Sequence, residues 1–282
     1  MSLYQTQCHE TKTLTTSAIT TLQVPTGQKL QSVALAFFTS AGALVTEAQI
    51  RAEIGNIRLA INGKDIVNAS VVRLLDIYEM LSTRVGRPAG VPGMVELNLG
   101  RLLFVDPVAR DFVGFGTSDV SSIQVQVTAG TLSAIASCQV ITQRSPVNEP
   151  LGNYVRTINY AQSYNGTGVH TADTLPRDLD SSYLMIMANT GASGVITTGE
   201  VRVNGVTVTE QLPLGANILF NANKGFEQVT GYYMHIFTDG LVSSRLPMPG
   251  VTDLRVLTGF STDPGAAGYD LTAMTLITPN AK

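Results

Sequence analysis

Apolar and polar positions alternate with a period of two over much of this chain, and the alternation is laid down twice. Arg58-Leu59-Ala60-Ile61-Asn62-Gly63-Lys64-Asp65-Ile66-Val67 is broken at Asn-Gly, and Val201-Arg202-Val203-Asn204-Gly205-Val206-Thr207-Val208 repeats the arrangement. Such alternation predicts half-buried strands, and Asn-Gly tolerates the positive φ that a two-residue type I′ hairpin turn demands. The two glycines stand 142 positions apart (205 − 63), about half of the 282 residues.

The order of elements around the hairpins also repeats. Upstream lie the apolar strands Ser32–Phe38 and Tyr183–Met187, followed by the small-residue stretches Thr39-Ser40-Ala41-Gly42 and Asn189-Thr190-Gly191-Ala192. Each strand is approached through proline, in Val24-Pro25-Thr26-Gly27 and in Leu175-Pro176-Arg177. Downstream, Ile123–Val127 and Ala134–Thr142 answer to Leu254–Leu257 and Leu271–Thr278. The offset drifts from 151 (176 − 25) to 131 (254 − 123), as insertions in loops would make it. Residue identity between the halves is low, which points to a duplicated fold rather than a recent repeat. Chance recurrence of common β features is the competing explanation.

One stretch changes period. Val71, Leu74, Leu75, Tyr78 and Leu81 recur at spacings of three and four, with Ser70 as a cap and Gly86 beyond the end, so a helix is expected over 71–81. Its counterpart is weaker, Leu212–Asn223, with Pro213 and Gly215 near the start. Gly86–Gly93 reads as a loop, Met94–Leu99 as a strand, and Leu102–Phe115, with Asp106-Pro107, as a long inter-strand excursion containing at most a short helical turn. Val155–Tyr164 and the Asn165-Gly166-Thr167-Gly168 turn open the second half, and Gly231–Phe237 reads as a buried strand.

The expected organisation is an N-terminal arm over the Thr- and Gln-rich residues 1–22, a first domain over 23–143, a linker over 144–154 and a second domain over 155–282. The Gln143–Pro150 stretch has two prolines and few large apolar residues. The fold class is all-β, two tandem antiparallel β-sandwiches, each with one inserted helix.

Composition narrows the function. Charged residues are 14% of the chain against roughly 25% in ordinary soluble domains, and apolar residues are 44%, so much of the surface is weakly polar and suited to burial in an assembly. The net charge is −3 with no basic block, which does not support direct nucleic-acid binding through phosphate neutralisation. Cys8 and Cys138 make no disulfide framework and are compatible with a reducing interior. No apolar run reaches the roughly 20 residues of a membrane helix, and the start lacks a secretory signal. A chain made and kept in the cytoplasm, at least until assembly, is expected.

Candidate chemistry is sparse, and no catalytic, cofactor-binding or metal-binding residues are assigned. His9, His170 and His235 show no metal-ligand spacing; Cys8-His9 lies in the expected arm, His170 in an exposed turn, and His235 in an apolar strand where a hydrogen-bonded core or interface role is expected. Gly114-Phe115-Gly116 lacks the third glycine and following helix of a dinucleotide loop. Glu47, Glu53, Glu96, Asp106, Asp111, Asp239, Asp253 and Asp270 are carboxylates that the sequence cannot pair across a cleft. Asp173, Asp178 and Asp180 do not follow a calcium-loop spacing and read as a solvated acidic turn. Asn68-Ala69-Ser70 and Asn165-Gly166-Thr167 match glycosylation sequons, which carry no meaning without secretion.

The layout resembles a family. Val24–Gln28 leading into the strand at 32–38, Asn56–Lys64, the helix at 71–81, and Asn165-Gly166-Thr167 before Leu175-Pro176-Arg177 resemble, in order and spacing over residues 15–280, the double-jelly-roll major capsid proteins of tailless icosahedral membrane-containing phages of the corticovirus type. The resemblance implies two jelly rolls and a homotrimer that forms a pseudo-hexagonal capsomer. Its partners would be neighbouring capsomers, penton and membrane-associated virion proteins, and an internal lipid membrane. It implies a structural protein of the virion, no enzyme and no cofactor. Some members bind calcium, but no motif here maps onto an inter-subunit calcium site. Residues 83–93 and 240–250 are expected as outward-facing or inter-capsomer loops, and the arm as a contact to a neighbour or to the inner surface. The alternative is a carbohydrate- or receptor-binding β-sandwich, which would display an exposed aromatic cluster beside acidic or amide residues.

Overall fold

Alternation becomes strand wherever one face of the run can be buried. Ile123–Ala129 alternates buried and half-buried without a break, and Lys29–Phe38, continuously apolar from Val33 onward, is buried on both faces. A computed structural model describes residues 4–82, 93–104, 106–240 and 244–279. Two compact units divide after Ile158.

Among the described residues the first unit builds its sandwich from eight strands: β1 (Gln5–Thr13), β2 (Ile19–Gln23), β3 (Lys29–Phe38), β4 (Ile54–Ile61), β5 (Lys64–Ser70), β6 (Met94–Glu96), β7 (Ile123–Ala129) and β8 (Ser137–Ser145). They form two sheets in the orders β1-β8-β3-β6 and β2-β7-β4-β5. First pairs with last, second with seventh, third with sixth and fourth with fifth, the nested antiparallel order of a jelly roll. The core between the sheets includes Val33, Leu35, Phe37, Ile57, Leu59, Val125, Val127 and Val140. Between β3 and β4 lies α1 (Glu47–Glu53), between β5 and β6 lies α2 (Val71–Ser82), and between β6 and β7 lie α3 (Gly100–Leu103) and α4 (Pro107–Phe112).

β9 (Tyr154–Gln162) crosses the division. Its first half extends the first unit, pairing in parallel with β5 through Val67↔Thr157 and Asn68↔Ile158.

The second unit continues with β10 (Gly168–Ala172), β11 (Ser181–Asn189), β12 (Ile196–Val203), β13 (Val206–Pro213), α5 (Leu214–Asn223), β14 (Tyr232–Ile236), β15 (Leu246–Pro247), β16 (Leu254–Phe260) and β17 (Tyr269–Ile277). One sheet runs β10-β16-β12-β13; in the other, β17 lies between β11 and β9, and β14 flanks β11. The nesting is the same as in the first unit, with the two-residue β15 added beside β11 at Ser182 and Tyr183. Its core gathers Tyr183, Ile186, Val201, Tyr233, Leu254, Val256 and Leu271.

The duplication extends to the turns. Asn62 and Asn204 both have φ of 50°, and Gly63 and Gly205 have φ of 78° and 79°. Positive φ at both central positions is what the type I′ turn requires. Past each turn the pairing skips one residue. Ala60↔Asp65 is followed by Leu59↔Val67, and Arg202↔Thr207 by Val201↔Thr209, so Ile66 and Val208 are equivalent bulges.

Three expectations differ from the structure. Of the expected arm, the described residues from 4 onward belong to the sandwich: Gln5–Thr13 lies along β8 and Ile19–Gln23 along β7, forming the first and second strands of the jelly roll. Their polar composition reflects their place at sheet edges, where one side faces water. Residues 144–154 do not form a free connection between units. The Glu149 carboxylate meets Lys29 Nζ at 2.6 Å, Leu151 N donates to Asp119 Oδ1 at 2.7 Å, and Tyr154 packs on Phe115 with ring centroids 6.4 Å apart. Among the described residues the first unit holds α1, α3 and α4 in addition to the expected helix, α2. α1 opens on a Thr46/Gln49 capping box and α4 on Asp106, whose side chain accepts from Val108 N, with Pro107 in the first turn. Of the expected exposed loops, 83–92 and 241–243 lie outside the described residues.

Candidate assembly surfaces

The residues with catalytic potential are engaged in hydrogen bonds and ion pairs within their own units. Glu53 ends α1, is 5% exposed, and accepts hydrogen bonds from Ser133 Oγ at 2.6 Å and from the N–H groups of Ser133, Ala134 and Ile135 at 3.0 to 3.1 Å. Burial pushes its carboxyl pKa up, but the Ser133 hydroxyl and the N–H groups of Ile135, Ser133 and Ala134 outweigh that and hold it down at about 2. The carboxylate thereby fastens the β7–β8 loop to α1.

Asp111 accepts from Lys29 Nζ at 3.2 Å and Gln31 Nε2 at 2.6 Å, and Lys29 is a buried cation held between Asp111 and Glu149. Glu47 pairs with Arg51 at 2.7 Å, Glu96 accepts from Ser32 Oγ at 2.6 Å, and Asp253 pairs with Arg255 at 3.0 Å. Asp239 and Asp270 also have partners. Asp173, Asp178 and Asp180 are exposed on the loop before β11, and no group of three or more His, Cys, Asp or Glu among the described residues could hold a metal ion. Phe115 is buried and bridges Leu30; a side chain at Gly116 would collide with the Pro150 carbonyl, so this glycine serves close packing rather than phosphate binding.

The histidines occupy three different settings. His9, in β1, contacts Thr142 Oγ1 at 2.9 Å, and its pKa is lowered by burial and by Arg144. His170 is not in a turn but in β10, where it stacks on Tyr164 with centroids 4.6 Å apart and contacts Tyr269 Oη at 3.0 Å. Burial lowers its pKa and Asp173 partly opposes this. The rings beside it, Phe260 and Tyr269, are buried in the core, so the cluster closes the sandwich instead of offering a sugar platform. His235, in β14, is buried, and neither ring nitrogen has a hydrogen-bond partner, in contrast to the expected hydrogen-bonded histidine. Burial drives its pKa down to about 3, leaving the ring neutral.

The structural candidates for function are instead surfaces. β13 and α5 present Val206, Val208, Leu219 and Phe220 to solvent; Val206 is 67% and Leu219 59% exposed. Between them and β14 lies a cleft of about 520 Å³ lined by Val208, Thr209, Phe220, Lys224 and His235. β1 presents a largely exposed polar edge. Sequence periodicity could not find these surfaces, because Val206 and Val208 read as ordinary inward positions of an alternating strand.

Comparison with known proteins matches this architecture. Residues 6–142 match the family described as the viral coat protein P2 N-terminal domain. No curated protein matches the chain by sequence. Among solved structures, the major capsid protein P2 from bacteriophage PM2 superposes with a TM-score of 0.82 at 16% identity, covering 99% of each chain. The atomic structure of Sulfolobus Turreted Icosahedral Virus gives 0.67 at 14% identity, covering 98% of this chain and 91% of that one. The PBCV-1 virus capsid gives 0.59 at 9% identity, with 99% and 96% covered. Residues 6–142 are thus similar to the viral coat protein P2 N-terminal domain, and the chain as a whole has the double-jelly-roll fold of the structures it matches.

Proposed function

We propose that this chain is a major capsid protein, a structural protein and not an enzyme, and that three copies form a pseudo-hexagonal capsomer in the shell of an icosahedral virus. The observation that carries this reading is the complete duplication. Two jelly rolls with one nesting order, one bulged Asn-Gly hairpin and one helix after its fifth strand stand in a single chain. Two similar modules per chain allow three chains to fill a position of six-fold outline, and closed three-fold symmetry leaves no unsatisfied interface within the ring.

The comparisons support the same reading, since the matched structures are described as a major capsid protein, an icosahedral virus and a virus capsid. The low charge content fits a chain whose side walls are buried between copies. Neighbouring capsomers, penton and membrane-associated virion proteins, and an internal membrane are the partners this function would require.

Native mass spectrometry of the purified full chain tests the proposal. With 30.0 kDa per chain, the expected particle is a trimer of about 90 kDa. A monomer that persists at high concentration would refute it.

A further inference from the structure

We infer that the free edge of β13 is covered by β1 of a second copy of this chain, in the manner in which β9 covers β5. The inference rests on the trimeric reading and specifies the contact that would build it.

In the first unit the strand after the Asn-Gly turn does not end its sheet. β5 is extended by the first half of β9, in parallel, through Val67↔Thr157 and Asn68↔Ile158. β13 is the same strand in the second unit. It follows Asn204-Gly205, carries the equivalent bulge, and leads directly into α5 as β5 leads into α2. Among the described residues its outer edge has no strand beside it. Only Thr209 and Leu212 in it are even half-buried, and Val206 and Val208 are exposed. An alternating strand with free backbone groups and exposed valines is a template for another strand. Leu219 and Phe220 on α5, and the cleft lined by the unpartnered His235, extend the uncovered apolar surface beside it.

The internal repeat also names the occupant. β9 is the first strand of its jelly roll, nine residues long and beside the last strand, β17. The strand with those properties in the other unit is β1, nine residues long and beside β8. β1 too ends its sheet, with most of its residues exposed. Its charged and amide side chains (Gln5, Gln7, Glu10, Lys12) keep that edge soluble before it docks. A β1-to-β13 contact joins different surfaces of the two copies. It is therefore head-to-tail and must close into a ring or grow without limit. Three copies close it.

The register follows from the duplication. A shift of 142 carries Val67 and Asn68 to Thr209 and Glu210, the same shift that relates the two hairpins and their bulges. Matching β1 to β9 from their first residues sets Cys8 and His9 in the places of Thr157 and Ile158. Thr209 of one copy then faces Cys8 of the next.

Cys8 is an exposed free thiol and Cys138 is buried, so the native chain carries its own probe. Neighbouring strands lie about 4.8 Å apart, within the Cα separation of a disulfide. Mild oxidation of full-length Thr209→Cys is expected to give covalent dimers and trimers, absent from wild type and from Cys8→Ser/Thr209→Cys. Val208→Glu is expected to leave a folded chain, by circular dichroism, that no longer trimerises. A native trimer in which neither Thr209→Cys nor Glu210→Cys forms a Cys8-dependent link would overturn the strand pairing and leave the capsomer reading standing. Cross-linking that stops at dimers would also overturn the head-to-tail ring. A native monomer with no link would overturn both.

Discussion

Asn62 and Asn204 hold equivalent positions and make the same contacts, one in each unit. Asn62 Oδ1 accepts from Ser121 N and Ser121 Oγ at 2.9 Å and from Ser122 N at 3.2 Å, while its own N–H donates to Ser122 O at 2.9 Å. Asn204 Oδ1 accepts from Thr252 N at 2.8 Å, Thr252 Oγ1 at 3.1 Å and Asp253 N at 3.0 Å, and its N–H donates to Asp253 O at 2.8 Å. Each asparagine thus turns the hairpin and holds the chain as it enters the next strand of the same sheet, β7 or β16. Asparagine meets both demands, since it tolerates positive φ and carries an acceptor.

Asn204→Ala is expected to lower stability by about 1–3 kcal/mol, from the lost acceptor and from alanine's reluctance to take positive φ. Asn204→Asp, which keeps the acceptor, should stay near wild type. Asn62→Ala should behave like Asn204→Ala. Urea denaturation of the three variants measures this, and an alanine variant as stable as wild type would show that the clasp contributes nothing.

The Asn-Gly hairpins were legible because turn chemistry and alternation agree locally, and the order of strands around them carried the double sandwich with it. The 71–81 helix was legible for the same reason, and it runs over Val71–Ser82. β1 and β2 were not legible, because edge strands facing water lose the apolar alternation that marks a strand. α1 was missed although Thr46-Glu47-Ala48-Gln49 spells a capping box, since only seven residues follow the cap and two of them are buried. The candidate surfaces were illegible for a different reason. Val206 and Val208 look like core residues until the sheet order shows that β13 is an edge.

Glu53 links stability to pH. Its folded pKa of about 2 lies below the model-compound value of 4.5, so its stabilising contribution is complete above pH 4.5 and is lost as pH falls toward 2. Glu53→Gln should cost about 2–4 kcal/mol at neutral pH, because the amide cannot receive all the donors that converge there. It should also flatten the decline in stability over that acid window. An equally steep decline in the variant, followed by thermal unfolding at several pH values, would place the acid sensitivity elsewhere.

Gly199 makes room for an aromatic ring. A Cβ there would collide with the Tyr233 ring, whose hydroxyl donates to Gly199 O at 3.2 Å and Leu212 O at 2.9 Å. Gly199→Ala should destabilise the chain by about 1–3 kcal/mol through overpacking. Shortening the ring in Gly199→Ala/Tyr233→Leu should cost less than the two single changes added together, as a double-mutant cycle would measure.

The two thiols should differ sharply in reactivity. Cys8 is exposed, while Cys138 is buried and its pKa is pushed up to about 12 by burial, with Lys12 opposing. A thiol reagent should modify one cysteine per native chain and two after denaturation. Mass spectrometry of the labelled peptides decides it, and native labelling of Cys138 would contradict this packing of β8.

The central claim is that two jelly rolls in one chain supply two of six similar positions in a closed ring. Electron cryo-microscopy of the purified oligomer tests it most directly. The account predicts six β-sandwiches in a hexagonal outline built from three chains, related by a true three-fold axis. A ring with a two-fold axis, or separate single chains with two sandwiches each, would contradict it.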